Sequence, residues 1–431
     1  MKSDLCKLDE PNRRVFMCRA AQAFLGVGLL STGRQHGLAA AAAQSARAGG
    51  SARHVIYLYM SGGMSHIDTF DPKQGVREAG PVRSIATSVD DVFVSEYLPL
   101  TAERMHHQAV IRSITSTQGA HEQGNYFMHT SYSMRGTIQH PAMGAWLEVF
   151  QGRGNETLPG HVVIGNASRH PGAGFFDPKF SPLLLGNPER GLSDSRMPRG
   201  VTQETFDYRL DLAARLDHEF RQRYQYRGVQ AYTDLYKDAV TLMQSEDLKA
   251  FDIDQERNTV RREYGSNPFG QGCLLARRLV EHGVRFIEVN MGGWDTHVSN
   301  FTRTPELCQT FDQAYSALLD DLERRDLLKD TMVVVATEFG RTPGINQNDG
   351  RDHYPRAFSG VLAGGGVRGG TVHGRTDARG AEIEHGRMEI PDFNATIAHA
   401  LGLPLDHVLY SPSKRPFTVA HKGKAALDVF A

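Results

Sequence analysis

Short apolar runs recur along the chain, and each is stopped by glycine or by a polar cluster. Residues 54–60 read HVIYLYM and end in Ser61-Gly62-Gly63, the pattern of a buried strand that enters a tight turn. Runs of the same kind lie at 109–114, 161–164, 284–289 and 331–336. Between them, residues 98–107, 141–150, 269–282 and 305–328 place apolar side chains at the three-to-four spacing of a helix with one buried face. Uninterrupted apolar strands alternating with amphipathic helices predict a mainly parallel sheet covered on both faces. Residues 203–264 carry Leu210, Leu212, Leu216 and Phe220 among many charges and read as a pair of amphipathic helices, a helical insertion.

The first 43 residues read as an address rather than as part of the fold. Asn12-Arg13-Arg14-Val15-Phe16-Met17 places paired arginines before a mild apolar stretch from Ala20 to Leu30. This is the pattern of a twin-arginine export signal, and the alanines from Ala39 to Ala43 offer the small residues of a cleavage site. A periplasmic or extracellular protein spanning 44–431 is expected. The stretch is far short of the roughly 20 residues that cross a bilayer, so no transmembrane anchor is expected.

Charge narrows the partners. The chain has 48 Lys and Arg against 49 Asp and Glu; six bases and three acids lie within 1–43, leaving 42 against 46. Such a surface lacks the basic footprint of phosphate-backbone binding, which counts against nucleic acid. Of four cysteines, Cys273 and Cys308 fall in the mature part, either bridged or as two buried thiols. The 19 histidines are the compositional oddity, because imidazole is a common metal ligand and proton carrier.

The polar clusters follow the carboxyl ends of the expected strands, the edge where open α/β sheets bind ligands. They are 61–71, 115–129, 292–297 and 338–353. Asp295-Thr-His297 is a workable metal pair, and Glu338 closes a very apolar strand, where a charge needs a metal, a cation or water. Arg341 and Arg351 either pair with Glu338 and Asp352 or clamp an oxyanion. His121 and His129 flank Gly124-Asn125, beyond the hydroxyls of Thr115-Ser116-Thr117. His66, Asp68 and Asp71 fit a hydrogen-bonded loop as well as a site. His106, His107, His140, His170 and His218 have no companions nearby in sequence and read as surface or structural.

Four motifs in order, Ser61-Gly-Gly-Met-Ser-His-Ile-Asp68-Thr-Phe-Asp71-Pro-Lys73, Gly292-Gly-Trp-Asp-Thr-His297, Glu338-Phe-Gly-Arg-Thr-Pro343 and Gly350-Arg-Asp-His353, resemble domain-of-unknown-function family 1501. Its members are exported, sulfatase-like bacterial proteins grouped with the alkaline phosphatase and sulfatase superfamily. The resemblance implies an alkaline-phosphatase-like three-layer α/β sandwich and a metal-dependent hydrolase of phosphate or sulfate esters, small or polysaccharide. It implies Asp295, His297, Glu338 and His353 as ligands of a divalent ion such as zinc, manganese, calcium or iron. Thr117, or Ser116 in its stead, falls at the nucleophile turn, and His121 and Arg341 fall in catalytic positions. Two departures stand out. Ser61 occupies the place of a metal-binding Asp, and Phe339 that of a ligand to a second ion, which points to one metal or to a rearranged set using Asp68 and His66. No Cys/Ser-x-Pro-x-Arg turn follows Thr115, so the formylglycine sulfatase mechanism is not expected. The same departures fit an alternative: a binding or assembly component, with a protein partner, that keeps the fold without the chemistry.

Overall fold

The computed structural model describes residues 50–431 except 193–194, 196–199 and 224–226. The export segment expected at 1–43 lies outside the described residues, as do the side chains of Leu216 and Phe220. Nine strands form the main sheet: β1 His54–Met60, β2 Gln108–Thr115, β3 His161–Ile164, β4 Leu183–Leu185, β5 Phe286–Met291, β6 Thr331–Ala336, β7 Phe358–Gly364, β8 Thr371–His373 and β9 Met388–Glu389. Their order is β8-β2-β7-β6-β1-β5-β3-β4, with β9 also on β2. All neighbours run parallel except β7, which is antiparallel to both β2 and β6.

Strand β1 sits at the centre, and its side chains alternate between two cores because successive residues point to opposite faces. Ile56, Leu58 and Met60 enter one apolar layer. Val55, Tyr57 and Tyr59 enter the other. The first layer is roofed by Pro268–Glu281 and Asn300–Arg324, the second by α1 His121–Thr130, Met143–Gln151 and Ile390–Ala400. This is the three-layer α/β arrangement with a mainly parallel sheet that the apolar runs predicted.

The differences in detail are local. Residues 98–107 form only a short helix, Pro99–Glu103, and a 3₁₀ turn, Met105–His107. The helix expected from 305 begins at Asn300, so Pro305 lies in its second turn, where one backbone donor is lost. Within 203–264, helices run over Gln203–Arg223 and Arg227–Gln244. Cys273 and Cys308 are free and buried, the second of the two readings. Among the described residues no helix is long and apolar enough to cross a membrane.

Candidate functional site

The site is assembled by loops that leave the carboxyl ends of β1, β5 and β6. After β1, the Ser61-Gly62-Gly63 turn lies against the loop that follows β5, and Trp294 N donates to Ser61 O (3.3 Å). Gly62 has φ +121°, and a Cβ there would stand 2.4 Å from Asp295 N, so only glycine lets the two loops meet. The loop carrying His353 is seated the same way, since a Cβ on Gly350 would lie 1.8 Å from His297 O. A two-residue antiparallel ladder then sets His353 opposite Arg341.

Three imidazoles converge on the Asp295 carboxylate. His121 Nε2 lies 3.3 Å from Oδ2, while His297 Nε2 (3.2 Å) and His353 Nε2 (3.4 Å) approach Oδ1. In each ring the other nitrogen is anchored. His121 Nδ1 donates to Glu338 Oε1 (2.9 Å), His297 Nδ1 to Asp352 Oδ1 (2.7 Å) and His353 Nδ1 to Gly119 O (2.8 Å). A ring whose Nδ1 is held as a donor to a carboxylate or carbonyl presents a lone pair at Nε2, the usual outer-shell arrangement of metal-binding histidines. The donor set therefore fits a divalent ion held by His121, Asp295 and His353, whose ligand atoms all lie within 4.8 Å of one another, while His297 reaches Asp295 but falls outside that group. Burial would raise the Asp295 carboxyl, but the Arg341 guanidinium and the imidazoles outweigh it and hold it down to about 2. The bond to Glu338 moves His121 upward, and burial moves His353 downward.

Glu338 stands behind this set. Its Oε1 accepts from Gly62 N (2.9 Å) and His121, and its Oε2 from Tyr59 Oη (3.1 Å) and Thr337 Oγ1 (3.3 Å). With four donors around it the carboxylate orients His121 instead of facing the ring cluster, which departs from the ligand role expected of it. His121, expected among the catalytic groups, offers Nε2 to the cluster in its place. Phe339 is buried and packs its ring against His121 (5.2 Å between centroids) and His353 (4.4 Å), an apolar floor under both imidazoles.

The two arginines are not open to an anion. Arg341 is buried and donates to Gly63 O (3.0 Å), Arg351 O (3.0 Å), Gly62 O and Asp295 Oδ1. Arg351 is buried on Asp68, to which it gives Nε (2.7 Å) and Nη2 (2.9 Å), and it also donates to Glu78 O (2.7 Å). Arg351 spends five donors and Arg341 four on loop carbonyls and acids, so they brace the turns. Asp68 is thereby used up, and His66 is buried with Nε2 on Gly380 O (2.8 Å), so neither joins the cluster. Thr117 lies exposed and accepts from Gln118 Nε2 (3.0 Å), while Ser116 Oγ accepts from Gln118 N (3.0 Å); no hydrogen bond ties either hydroxyl to the cluster among the described residues.

A cleft of about 370 Å³ runs from Asp295 and His121 past Ser61 and Asn125 to His129, His170 and Glu288. The exposed Arg169 is the one arginine that lines it, and no ion pair is recorded for it among the described residues. Arg169 and Glu288 line the cleft without having been singled out in the sequence, His129 comes from the 115–129 cluster, and His170, read there as surface or structural, is brought to the cleft wall. One signal was present: Glu288 interrupts the apolar strand at 284–289.

The family described as protein of unknown function (DUF1501) matches residues 52–430. The chain belongs to this family. A comparison with curated proteins found no match. Solved structures similar to the chain include the PsFucS1 sulfatase from Pseudoalteromonas sp., at 13% identity over 87% of this chain and 73% of that one, with a TM-score of 0.39. A protein in the alkaline phosphatase superfamily from Vibrio parahaemolyticus aligns at 11% identity over 88% and 70%, with a TM-score of 0.37. The lipoteichoic acid synthase LtaP from Listeria monocytogenes aligns at 10% identity over 84% and 76%, with a TM-score of 0.38.

Proposed function

We propose that the protein is an exported, metal-dependent hydrolase of phosphate or sulfate esters, its ion held by His121, Asp295 and His353, with His297 beside them on Asp295. The observation that carries this reading is the convergence of three Nε2 atoms on one carboxylate, each ring fixed through Nδ1. A bound divalent ion supplies Lewis acidity and lowers the pKa of a hydroxyl or water beside it. The chain's own groups do the rest. Glu338 keeps His121 in the tautomer that leaves Nε2 free. Arg341 neutralises part of the Asp295 charge, and Arg169 at the cleft wall offers an ionic contact to the ester's anionic oxygens. The cluster lies at the carboxyl edge of the sheet, where small-molecule sites form in open α/β folds.

Elemental mass spectrometry on purified protein, with Asp295→Ala alongside, tests this. The expected result is a divalent ion retained by the wild type and depleted in the variant, together with turnover of p-nitrophenyl phosphate or sulfate. Folded protein that refuses zinc, manganese, calcium and iron defeats the reading. The second reading, a binding component without turnover, draws on Arg341, which occupies one Asp295 oxygen, and on Phe339, which offers no donor. Metal retained with binding of a sulfated or phosphorylated glycan, but no hydrolysis, would favour it.

A further inference from the structure

We propose that His129, His170 and Glu288 form a second divalent-metal site, of the zinc type, at the inner end of the same cleft. The spacing of the donors is the first argument. His129 Nε2 lies 3.1 Å and His170 Nε2 3.5 Å from Glu288 Oε2, and the three residues offer ligand atoms all within 4.8 Å of one another. Donors about 2.0–2.1 Å from a tetrahedral ion stand about 3.3 Å apart, close to the two distances from Glu288 Oε2 to the imidazoles.

Orientation is the second argument. His129 Nδ1 donates to Asn125 O (2.8 Å), which turns Nε2 onto Glu288 Oε2 (3.1 Å), and Asn290 Nδ2 donates to the other Glu288 oxygen (2.8 Å). His170 is steered by the Gly172 N–H on its Nδ1 (3.1 Å), and its Nε2 makes no hydrogen bond. Ligation through Nε2 moves the ring proton to Nδ1 and gives up that single contact to Gly172.

Electrostatics supplies the third. Glu288 is 1% exposed on the second-layer face of β5, and its ion-pair partners among the described residues are these two imidazoles. A buried carboxylate without lysine or arginine takes its positive charge from imidazolium or from a bound ion, and a divalent ion supplies it with both rings neutral. Asn125 Oδ1, on a side chain that is nine-tenths buried and lines the same cleft, has no hydrogen-bond partner, so a polar acceptor there is left for a water or ligand proton.

This site is separate from the outer one. His121 and His129 lie eight residues apart on α1, about 12 Å at the helical rise, far beyond the roughly 4 Å of a two-metal clamp. It does not depend on the proposed hydrolase activity.

The test uses the full chain, stripped with chelator and titrated with Zn²⁺ by calorimetry and with Co²⁺ by visible absorption. Two equivalents of Zn²⁺ are expected for the wild type and one for each of Asp295→Ala, Glu288→Gln and His170→Gln. The double variant Asp295→Ala with Glu288→Gln should bind none. An equivalent kept in Asp295→Ala and lost in His170→Gln supports the inner site even where the outer set fails. Stoichiometry and Co²⁺ spectrum unchanged by both Glu288→Gln and His170→Gln would overturn the proposal, as would a single wild-type equivalent abolished by Asp295→Ala. His170 lies outside the sheet, so its variant carries the test where Glu288→Gln does not fold.

Discussion

Two groups of imidazoles and acids share one cleft and one helix, yet they are built in opposite ways. The outer group sits where strands end: Asp295 is nearly half exposed, and a buried arginine shares its charge. The inner group sits on the face of the sheet, where Glu288 rises from the middle of β5 between Phe286 and Asn290, with two histidines as its ion-pair partners among the described residues and Asn290 Nδ2 on its other oxygen. Both carboxyls are held down to about 2. Burial pushes each up; Arg341 chiefly reverses this for Asp295, and His129 with His170 reverses it for Glu288. A strand-end acid keeps water and costs little, whereas a mid-strand acid in an apolar layer depends wholly on its partners. Tyr59 and Asn125 connect the two groups, because Asn125 Nδ2 donates to Tyr59 Oη (3.2 Å), which donates to Glu338.

The largest expected effect is on the outer group's chemistry. Asp295→Ala should abolish ester hydrolysis and cost less stability than the loss of Glu288, since Asp295 is nearly half exposed and Arg341 keeps its backbone acceptors. Wild-type kcat/KM on p-nitrophenyl esters in that variant would remove the outer group from catalysis. Stability should respond in the other place. In metal-free protein Glu288→Ala is expected to lower unfolding free energy by about 3 kcal/mol, read from urea titrations, because it strips a buried ion pair of one partner. If the two alanine variants are equally stable, the contrast between exposed and buried acids is broken.

A milder change sharpens the role of the supporting shell. Glu338→Gln should weaken metal binding by about 10–100-fold without loss of fold, the range for removing an outer-shell partner of a ligating histidine. Unaltered affinity would mean that Glu338 does not set the His121 tautomer. The smallest effect is a control on a buried imidazole with no carboxylate. Burial, helped by Arg135 and His421, holds His140 down to about 4, and its Nδ1 accepts from Tyr126 Oη (2.7 Å). The unfolded chain takes up a proton near pH 6.5 and the folded one only near 4, so stability should fall as pH drops through that window and level off below it. His140→Phe should flatten that part of the melting-temperature profile; an unchanged slope would place the proton elsewhere.

Much of the outer group was readable beforehand because strand ends announce themselves. Apolar runs that stop at glycine, followed by Asp295-x-His297, Glu338 and Asp352-His353, mark one edge of the sheet without any coordinates. Spacing could not show which atoms of Glu338 and the arginines were already taken. Arg341 and Arg351 read as anion clamps or as partners of Glu338 and Asp352, and packing puts both beneath the turns, where backbone carbonyls and the distant carboxylates of Asp295 and Asp68 take their donors. Strand β7 was missed for a related reason. Its sequence, FSGVLAG, is rich in small residues and looks like a loop, yet it pairs antiparallel between β2 and β6 in the middle of the sheet.

The sequence by itself determined the layering, because the period of apolar positions decides whether a segment is a strand or a helix and which face it buries. It also determined the edge where polar residues gather. Tertiary structure alone decided the inner group. His129, His170 and Glu288 are separated by 41 and then 118 residues, and nothing local relates them. They meet because α1 crosses the sheet face beside β5 and the segment after β3 folds back onto it, so the contact is a product of packing between elements and leaves no periodic trace along the chain.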